Sequence, residues 1–393
     1  MMRARSNIRV ETRLAPSGSA TAPAKAASAV PAKDLASFRR ALLRWYVQHR
    51  RDLPWRKTRD PYRIWLSEIM LQQTRVAAVL NHYRTFLERF PDVQTLAAAT
   101  EDDVLAAWSG LGYYRRARML HRCAQQIAEQ HGGCFPCNSE ALLALPGIGR
   151  YTAAAIASIA FAEPAAVVDG NVERVLQRFT GIDLTTPQIW QHAQALLASS
   201  RPGDFNQAMM ELGATVCVPR EPRCVACPVW KWCVVQQSGQ GANRAITSAI
   251  TMERRASPPG KTRTPPTIRQ VKKTIWCMLN QRDGGIRLVQ RPRKASLMAG
   301  MWELPQTSEP PRPLPPSALW RTFRHSITST NYTVHVLRNM PLRNTPLRNM
   351  PLRNTPLPDT SLAAKARWIA TDRIPRIPIT GLTRKILKAG GII

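Results

Sequence analysis

Between residue 35 and about residue 200, apolar residues recur every three or four positions, in blocks separated by proline and glycine. FRRALLRWYVQH and YRIWLSEIMLQQTRVAAVLNHYRTFLERF are two such blocks, and alternation of apolar with polar residues is almost absent. A period near 3.6 gathers apolar side chains on one face of a helix and does not suit a strand. The pattern therefore predicts an all-α domain over residues 35–235, closed by a cysteine-rich segment at residues 217–233.

The pattern changes on either side of that domain. Residues 1–34 are rich in Ala, Ser, Pro and Arg with few large apolar residues, which predicts a disordered basic tail. Residues 236–266 are polar, basic and proline-rich, as in a linker. Beyond them, segments such as KKTIWCMLNQ and NYTVHVL mix β-branched and aromatic residues between glycine and proline, so residues 267–393 are predicted to form an α+β domain.

A five-residue unit is repeated four times at residues 337–357, LRNMPLRNTPLRNMPLRNTPL. Proline at every fifth position excludes a helix and a central strand, so we expect an exposed extended loop. Two interpretations stay open for it. It is either a tolerated insertion without a function, which we favour, or a source of phosphate contacts through its arginines.

The net charge of +31 is concentrated after residue 235, where 27 basic residues face 6 acidic ones. Such a surface favours a polyanion, and nucleic acid is the first candidate. An anionic membrane and a merely solvated basic surface are the alternatives. Because the sequence contains neither a long apolar run nor a signal peptide, we expect a soluble protein in a reducing compartment, where clustered cysteines are metal ligands rather than disulfides.

Four cysteines, Cys217, Cys224, Cys227 and Cys233, stand in the segment CVPREPRCVACPVWKWC. Zinc sites more often have two Cys-x2-Cys pairs or include histidines, and no histidine lies near. The spacing, with a proline after the third cysteine, suits a 4Fe–4S cluster better. A zinc site and unliganded thiols remain the alternatives. The pair in CFPC at residues 134–137 stands alone and is interpreted as a chance match.

The motif LPGIGRYTAAAI places Gly147 and Gly149 between two helical blocks. Such a turn leaves backbone N–H groups free at a helix start to bind phosphate, as in a helix-hairpin-helix motif. An ordinary helix-to-helix turn would have the same sequence pattern.

Two carboxylates have contrasting predicted surroundings. Glu68 lies among apolar residues in IWLSEIMLQQ, where burial would raise its pKa and keep it protonated as a general acid. Asp169 in VVDGNVERVL precedes a helix, which favours the ionised form. Cleavage of a glycosidic bond uses such a pair. The alternatives are an exposed glutamate and a plain helix N-cap.

These four motifs occur together with three further segments, and the whole set closely resembles the MutY-type adenine DNA glycosylases of the helix-hairpin-helix superfamily. The resemblance is collinear over residues 38–235. The further segments are LPWR, GLGYYRRAR and FNQAMMELGA, and the Glu68 motif extends to WLSEIMLQQT. The resemblance implies base excision repair, in which adenine opposite 8-oxoguanine or guanine is flipped out and hydrolysed from its sugar.

The resemblance also implies a role for individual residues. Glu68 would protonate the adenine, and Asp169 would stabilise or transiently bond to the sugar cation, with Tyr151 and Asn171 positioning the sugar. It places Arg51, Leu53, Trp55, Arg56, Leu71 and Glu211 around the adenine, and assigns DNA contacts to Gln73, Thr74, Gly110, Leu111, Tyr113, Gly147, Gly149 and Thr328. Glu173 departs from the pattern, because some relatives have a lysine there.

Tyr151 distinguishes two enzyme hypotheses. The related endonuclease III glycosylase/lyases place a lysine there, whose amine forms a Schiff base with the sugar, and a phenol cannot do so. The resemblance therefore implies a monofunctional glycosylase rather than a lyase acting on oxidised pyrimidines. The third hypothesis is non-enzymatic, a basic DNA-binding module that holds zinc.

The C-terminal domain is similar to the Nudix-like domain of the same family, through LVQRPRKASLMAGMWELPQ and FRHSITSTNYTVHV. The catalytic Nudix box is absent from the sequence, so the resemblance implies recognition of the oxidised guanine and not nucleotide hydrolysis. Many relatives carry Phe-Ser-His in the recognition loop, and Ile327, Thr328 and Ser329 are assigned to that place.

The expected partner is duplex DNA with an adenine mispair, bound by a monomer without a membrane. We favour the bacterial cytoplasm at the nucleoid. In a eukaryote the basic tail would suit a transit peptide, and the nucleus or mitochondrion would be the expected compartment.

Overall fold

The computed structural model describes residues 30–238, 271–311, 314–327, 329–340 and 366–393. The first of these ranges contains helices and short 3₁₀ turns and no strand, as predicted for an all-α domain. Its helices are α1 Leu35–His49, α2 Pro61–Leu71, α3 Val76–Arg89, α4 Val93–Ala98, α5 Glu101–Trp108, α6 Arg115–His131, α7 Ser139–Leu143, α8 Arg150–Ala160, α9 Gly170–Thr180, α10 Thr186–Leu196, α11 Pro202–Thr215 and α12 Val234–Gln237.

Short polar side chains mark where several of these helices begin. Asp60 accepts a hydrogen bond from the backbone N–H of Tyr62 at the start of α2, and Pro61 supplies the fixed φ of a first helical residue. Asp92 and Thr100 cap α4 and α5 in the same way. These caps divide the chain into short helices that can pack around a common centre.

The helices bury two separate apolar cores. The first core is formed by α2 to α8, around Trp65 and Trp108. The second combines the two ends of the helical region, because α1 packs with α9, α10 and α11. Phe38 of α1 lies edge-on to Phe179 of α9, with ring centroids 5.3 Å apart. A cleft runs between the two cores, with α2 on one side and the start of α9 on the other.

The remaining described residues form an α+β domain, as predicted. A four-stranded sheet has the order β5-β1-β7-β6, in which β1 and β7 are parallel and the other pairs antiparallel. In a second sheet β3 pairs with β2, β4 and β8. The elements are β1 Val271–Leu279, β2 Gln281–Arg282, β3 Gly285–Gln290, β4 Trp302–Glu303, β5 Gln306–Thr307, β6 Leu319–Ile327, β7 Thr330–Arg338, β8 Arg367–Ala370 and α13 Gly381–Ala389.

The two domains are in direct contact beside the cleft. Met301 of the second domain is fully buried in the first helical core. The hydroxyl of Ser109, at the end of α5, donates to the carbonyl oxygen of Ile379 (3.0 Å) and accepts from Nε of Arg384 on α13 (3.0 Å). These contacts bring the segment before β4 to the rim of the cleft.

Two predicted boundaries are wrong. Val30 is fully buried against the second helical core and a 3₁₀ turn covers Ala32–Asp34, so residues 30–34 pack with the helical domain and are not part of a disordered tail. Residues 1–29 of the predicted tail lie outside the described ranges. The repeat predicted as an exposed loop begins inside a central strand, because Leu337 and Arg338 end β7 and both Leu337 and Met340 are buried.

The physical reason for the second difference is the position of the first proline. Leu337 to Met340 precede Pro341, so nothing in the first unit prevents the strand from continuing. Residues 341–357 of the repeat and most of the predicted linker, residues 239–266, lie outside the described ranges. Among the described helices, none combines the length and the apolar character that crossing a membrane requires.

A close approach of α11 to α9 generates a prediction. A Cβ at Gly213 would lie 2.7 Å from Cβ and 2.9 Å from the backbone oxygen of Asn171, so the two helices must separate to accommodate it. We expect Gly213→Ala to lower the free energy of unfolding by about 1–3 kcal/mol. Gly170→Ala on α9 is the matched control, since nothing lies within 4 Å of the added Cβ. Urea unfolding measures both, and equal stability of the two variants would contradict the packing described.

Candidate active site

The cleft between the two helical cores has a volume of about 1480 Å³ and is also lined by residues of the second domain. It brings together most of the side chains singled out from the sequence. The predicted residues that line it are Arg51, Leu53, Trp55, Arg56, Glu68, Leu71, Gln73, Thr74, Gly110, Tyr113, Gly147, Tyr151, Asp169, Asn171 and Glu211. Two predicted residues do not line the cleft: Leu111, which is buried, and Gly149, which is the N-cap residue of α8. Thr328 lies outside the described residues.

Glu68 on α2 is buried at the bottom of the cleft, as predicted, with 7% of its surface exposed. The hydroxyl of Tyr151 on α8 donates a hydrogen bond of 2.6 Å to its Oε2. Burial raises the pKa of Glu68 to about 7, with the charge of Asp169 adding to the rise and the Tyr151 hydrogen bond opposing it. A large fraction of Glu68 is therefore protonated at neutral pH.

Tyr151 itself stays a neutral phenol. Burial and the neighbouring Glu68 carboxylate raise its pKa well above 10. Its hydroxyl can therefore donate to Glu68 over the whole physiological pH range. The pair forms a hydrogen-bonded acid at the bottom of the cleft.

Asp169 is the N-cap of α9, and it also faces the cleft. Its Oδ1 accepts from the backbone N–H of Asn171 (3.0 Å) and of Val172 (2.8 Å), and its Oδ2 accepts from the side-chain amide of Asn171 (2.8 Å). The capping role and the site role proposed from the sequence are therefore compatible. These three donors and the helix dipole hold a carboxylate in one orientation.

The side-chain amide of Asn171 is itself fixed by a hydrogen bond from Arg174. Arg174 donates to Asn171 Oδ1 from Nη2 (2.9 Å) and to the carbonyl oxygen of Cys217 from Nε (2.9 Å). The Asn171 amide therefore has a partner at both ends, which fixes which end faces Asp169.

A buried ion-pair network forms another wall of the cleft. Glu211 on α11 has no exposed surface, and it pairs with Arg51 (2.6 Å) and Arg56 (2.7 Å). Burial alone would raise its pKa, but hydrogen bonds from Arg51 and Arg56 and the charge of Arg56 outweigh burial and lower the pKa to about 2. Glu211 is therefore ionised at neutral pH and orients two guanidinium groups, in contrast to Glu68.

Two loops at the mouth of the cleft have unusual backbone conformations. Gln73 follows α2 with φ of 54°, and Tyr113 precedes α6 with φ of 48°. Both side chains are exposed, Tyr113 to 59%. Gly147, in the turn before α8, has φ of 78°, and a Cβ there would lie 2.8 Å from Met119, so this turn requires glycine.

Comparisons with known proteins show what this chain is similar to. Residues 66–198, which contain Glu68, Tyr151 and Asp169, match the family described as HhH-GPD superfamily base excision DNA repair protein. The chain is 41% identical to the adenine DNA glycosylase of Rattus norvegicus, over 74% of this chain and 64% of the rat protein. It is 41% identical to the adenine DNA glycosylase of Homo sapiens, over 73% of this chain and 60% of the human protein.

Residues 66–198 of the chain belong to the HhH-GPD superfamily. The chain spans about three-fifths of the length of the rat and human relatives. A solved structure of a thermostable thymine-DNA glycosylase is 32% identical, with 52% of this chain and 98% of that chain covered and a TM-score of 0.49.

Several residues that line the cleft were not singled out from the sequence. In the second domain they are Ala295 to Ala299, His325, Ser326 and Gly381. Ile327, Thr328 and Ser329 had been assigned to the recognition loop. Ile327 lines the cleft, Ser329 does not, and His325 and Ser326 reach it instead. FRHSI does not alternate apolar with polar residues, so no local signal in the sequence could have placed His325 and Ser326 at the cleft.

The four cysteines Cys217, Cys224, Cys227 and Cys233 lie away from the cleft and close to one another. Burial raises the pKa of the Cys227 thiol to about 12, and the neighbouring Cys217, Cys233 and Cys224 add to the rise. Burial also raises the pKa of Cys233, and the neighbouring Cys217 and Cys224 add to the rise. Arg178 on α9 holds this loop, donating from Nη1 to the carbonyl oxygen of Val218 (2.7 Å) and toward Cys217 Sγ (3.4 Å).

Cys217, Cys224, Cys227 and Cys233 are free thiols. Across the described ranges, no group of three or more His, Cys, Asp or Glu side chains is found that could hold a metal ion. A 4Fe–4S cluster is held by four cysteine thiolates. The donor set of four thiols beside an arginine and backbone N–H groups fits such a cluster.

The raised pKa of Glu68 predicts how stability depends on pH. Between its ordinary pKa of 4.5 and its folded pKa of about 7, the folded state keeps a proton that the unfolded state releases, so stability is lost as pH rises through 7. Glu68→Gln has no such proton, and we expect the variant to gain about 3 kcal/mol relative to wild type between pH 4 and pH 8. Urea unfolding at several pH values measures the gain.

The matched control is Glu129→Gln, because Glu129 is exposed on α6 and solvent hydrates its charge. A stability difference between Glu68→Gln and wild type that is the same at pH 4 and pH 8 would contradict the burial of a titrating carboxyl group at position 68.

Proposed function

We propose that this protein is a monofunctional DNA glycosylase that removes adenine from mispairs with 8-oxoguanine or guanine and leaves an abasic site. The observation that carries the proposal is the pairing of Glu68 and Asp169 across one cleft. One carboxyl has a pKa near 7, and the other is held in place by three hydrogen-bond donors. Such a pair is suited to breaking a glycosidic bond at neutral pH.

In the proposed mechanism, the adenine leaves the duplex and enters the cleft, which is large enough for a nucleoside. Glu68 transfers its proton to N7 of the base, and the C1′–N9 bond breaks with its electron pair moving to the neutral adenine. The carboxylate of Asp169 faces the sugar cation that remains. Water then adds its oxygen to C1′ and returns its proton to Glu68, which restores the acid.

Tyr151 and Asn171 support the two carboxyl groups in this mechanism. Tyr151 keeps the proton-bearing Glu68 oriented through its 2.6 Å hydrogen bond, and Asn171 holds Oδ2 of Asp169. No lysine is found among the described residues that line the cleft. A Schiff-base route of the glycosylase/lyase kind would need an amine there, which favours the monofunctional reaction.

The adenine pocket is proposed to lie between the Arg51–Glu211–Arg56 network and the apolar side chains of Leu53, Trp55 and Leu71. The planar indole of Trp55 and the planar guanidinium groups of Arg51 and Arg56 suit stacking against a purine ring. The two guanidinium groups can donate hydrogen bonds to the base but cannot accept a proton from it. Because Glu211 is already ionised and paired, Glu68 is left as the proton donor.

Contacts with the DNA strand are proposed for the mouth of the cleft. Gln73 and Tyr113 are exposed on either side and are placed to fill the space left by the extruded base. Thr74, Gly110 and Leu111 belong to the same two loops and would support these contacts. The turn at Gly147 and Gly149 would bind a backbone phosphate through N–H groups at the start of α8.

Recognition of the base opposite adenine is assigned to the second domain. His325 and Ser326 at the end of β6, and the segment from Ala295 to Ala299, reach the same cleft as Glu68. A single bound duplex could therefore contact both domains. A role for Thr328 in this recognition stays a prediction.

We infer that Cys217, Cys224, Cys227 and Cys233 hold a 4Fe–4S cluster. When bound, the cluster would order the loop from residue 217 to residue 233, with Arg220, Arg223 and Lys231 exposed toward a DNA backbone. It takes no part in base release, because none of the four cysteines lines the cleft.

A duplex with one adenine opposite 8-oxoguanine tests the proposed reaction. We expect the protein to release adenine and the strand to break only after hot alkali, because hydrolysis leaves an intact abasic site. Glu68→Gln should bind the duplex and release adenine about a hundredfold more slowly, or worse, because it cannot donate the proton. Strand breakage without alkali would instead support a lyase.

The metal content of the purified protein tests the cluster. We expect a brown protein with iron and acid-labile sulfide, which loses its colour when the cluster is removed and in Cys224→Ser. Cys134→Ser is the control, because Cys134 is an exposed thiol outside the loop. A colourless protein containing stoichiometric zinc would support the DNA-binding module instead.

A further inference from the structure

Two loops at the mouth of the cleft are held in conformations that ordinary residues rarely adopt. The first loop is defined as residues 72–74, directly after α2, and the second as residues 109–114, between α5 and α6. Each contains a non-glycine residue with a left-handed backbone, Gln73 in the first and Tyr113 in the second. Because Cβ opposes this conformation, other contacts must maintain it.

The side chain of Arg116, in the first turn of α6, lies between the two loops. Its Nη2 donates to Thr74 Oγ1 (3.1 Å) in the first loop and to the carbonyl oxygen of Leu111 (3.2 Å) in the second. The guanidinium has six acceptors in all, split between the two loops and the end of α2. They are Thr74 Oγ1 and the carbonyl oxygens of Ile69, Met70, Gln72, Leu111 and Gly112.

Two of these acceptors are carbonyl oxygens at the end of a helix. The last carbonyl oxygens of a helix have no intrahelical donor, and Ile69 and Met70 stand at the end of α2. Arg116 therefore caps the helix that carries Glu68 and holds both loops with the same group. Its guanidinium carbon also lies 5.4 Å from the ring centre of Trp108 and 5.5 Å from that of Tyr113.

We propose that Arg116 is a positioning residue that sets the two loops jointly, so that Gln73 and Tyr113 enter the duplex together when the adenine is extruded. The proposal rests on the proposed function for its kinetic consequence, but its structural part concerns the free protein. Arg116 acts through the loops and takes no part in proton transfer at Glu68.

The chemistry of the side chain supports this role. A guanidinium is planar and presents N–H groups along two edges, so it can bridge acceptors from separate segments. A lysine ammonium is a single point of charge and cannot span both loops. Replacing the Arg116 guanidinium by a lysine ammonium keeps the charge but removes the second set of N–H donors. The two loops should then no longer be held to each other.

Hydrogen–deuterium exchange of the free protein tests the structural part. In Arg116→Met, we expect peptides covering the first loop and the second loop to exchange at least about tenfold faster than in wild type, while α8 is unchanged. Arg122→Met, an exposed arginine on the same helix, removes the same charge and should match wild type. Unchanged exchange, or faster exchange in one loop only, would overturn joint positioning whether or not the protein is a glycosylase.

Arg116→Lys is the second variant in case Arg116→Met does not fold. It keeps the charge and most of the stem, and we expect both loops to exchange faster in it as well. Wild-type exchange in Arg116→Lys would show that the charge alone is sufficient and would overturn the role assigned to the guanidinium.

Single-turnover adenine release tests the functional part by a mutant cycle. If Arg116 acts through Gln73 and Tyr113, Arg116→Met should slow release strongly in wild type but change it less than about twofold when both loop residues are already alanine. The pH midpoint of the rate should not move, because Glu68 is untouched. Equal slowing in both backgrounds, or a shifted midpoint, would contradict the proposal. Wild-type protein that releases no adenine would refute the proposed function, and the exchange experiment would still decide the structural part.

Discussion

The hydrogen bond between Tyr151 and Glu68 is the interaction on which the proposed chemistry depends. A carboxyl group removed from water would ordinarily be neutralised or paired with a cation, and here it is held by a phenol. The phenol opposes the rise in pKa without abolishing it, so the pKa is about 7 rather than higher. The result is an acid that can release and regain its proton near neutral pH.

The rest of the helical domain holds this acid opposite a carboxylate of different character. Glu68 lies on α2 of the first core, and Asp169 caps α9 of the second core. The cleft between the two carboxyl groups exists because the two cores pack separately. Gly213 lets α11 approach Asn171, and Asn171 holds Asp169. Glu211 resembles Glu68 in burial but not in charge, because two arginines keep it ionised. Three carboxyl groups in one cleft thus have three separate environments.

Residues whose environment follows from local pattern could be predicted from the sequence. The helical spacing around Glu68 was sufficient to predict its burial, and the position of Asp169 before a helix was sufficient to predict a cap. Long-range contacts could not be predicted in this way. The hydrogen bonds of Arg116 join backbone oxygens from two loops more than 35 residues apart, and no side-chain pattern in the sequence encodes backbone acceptors.

The second domain shows the same limit. Proline periodicity predicted a loop at residue 337, but pairing with β1 extends β7 to Arg338, because tertiary pairing overrides a local signal that begins only at Pro341. His325 and Ser326 at the end of β6 reach the cleft, whereas the resemblance to relatives placed the recognition loop at residues 327–329. The end of β6 depends on its pairing with β7, and this tertiary contact is not encoded in the local sequence pattern.

The most direct test of this account is the pH dependence of single-turnover adenine release by wild-type protein and by Tyr151→Phe. Because protonated Glu68 is the active form, the rate of the wild type should fall as pH rises through about 7. Removing the Tyr151 hydroxyl removes a hydrogen bond that lowers the pKa of Glu68, so the midpoint in Tyr151→Phe should move to higher pH. A midpoint that stays in place or moves to lower pH would contradict the claim that this hydrogen-bonded carboxyl group is the proton donor.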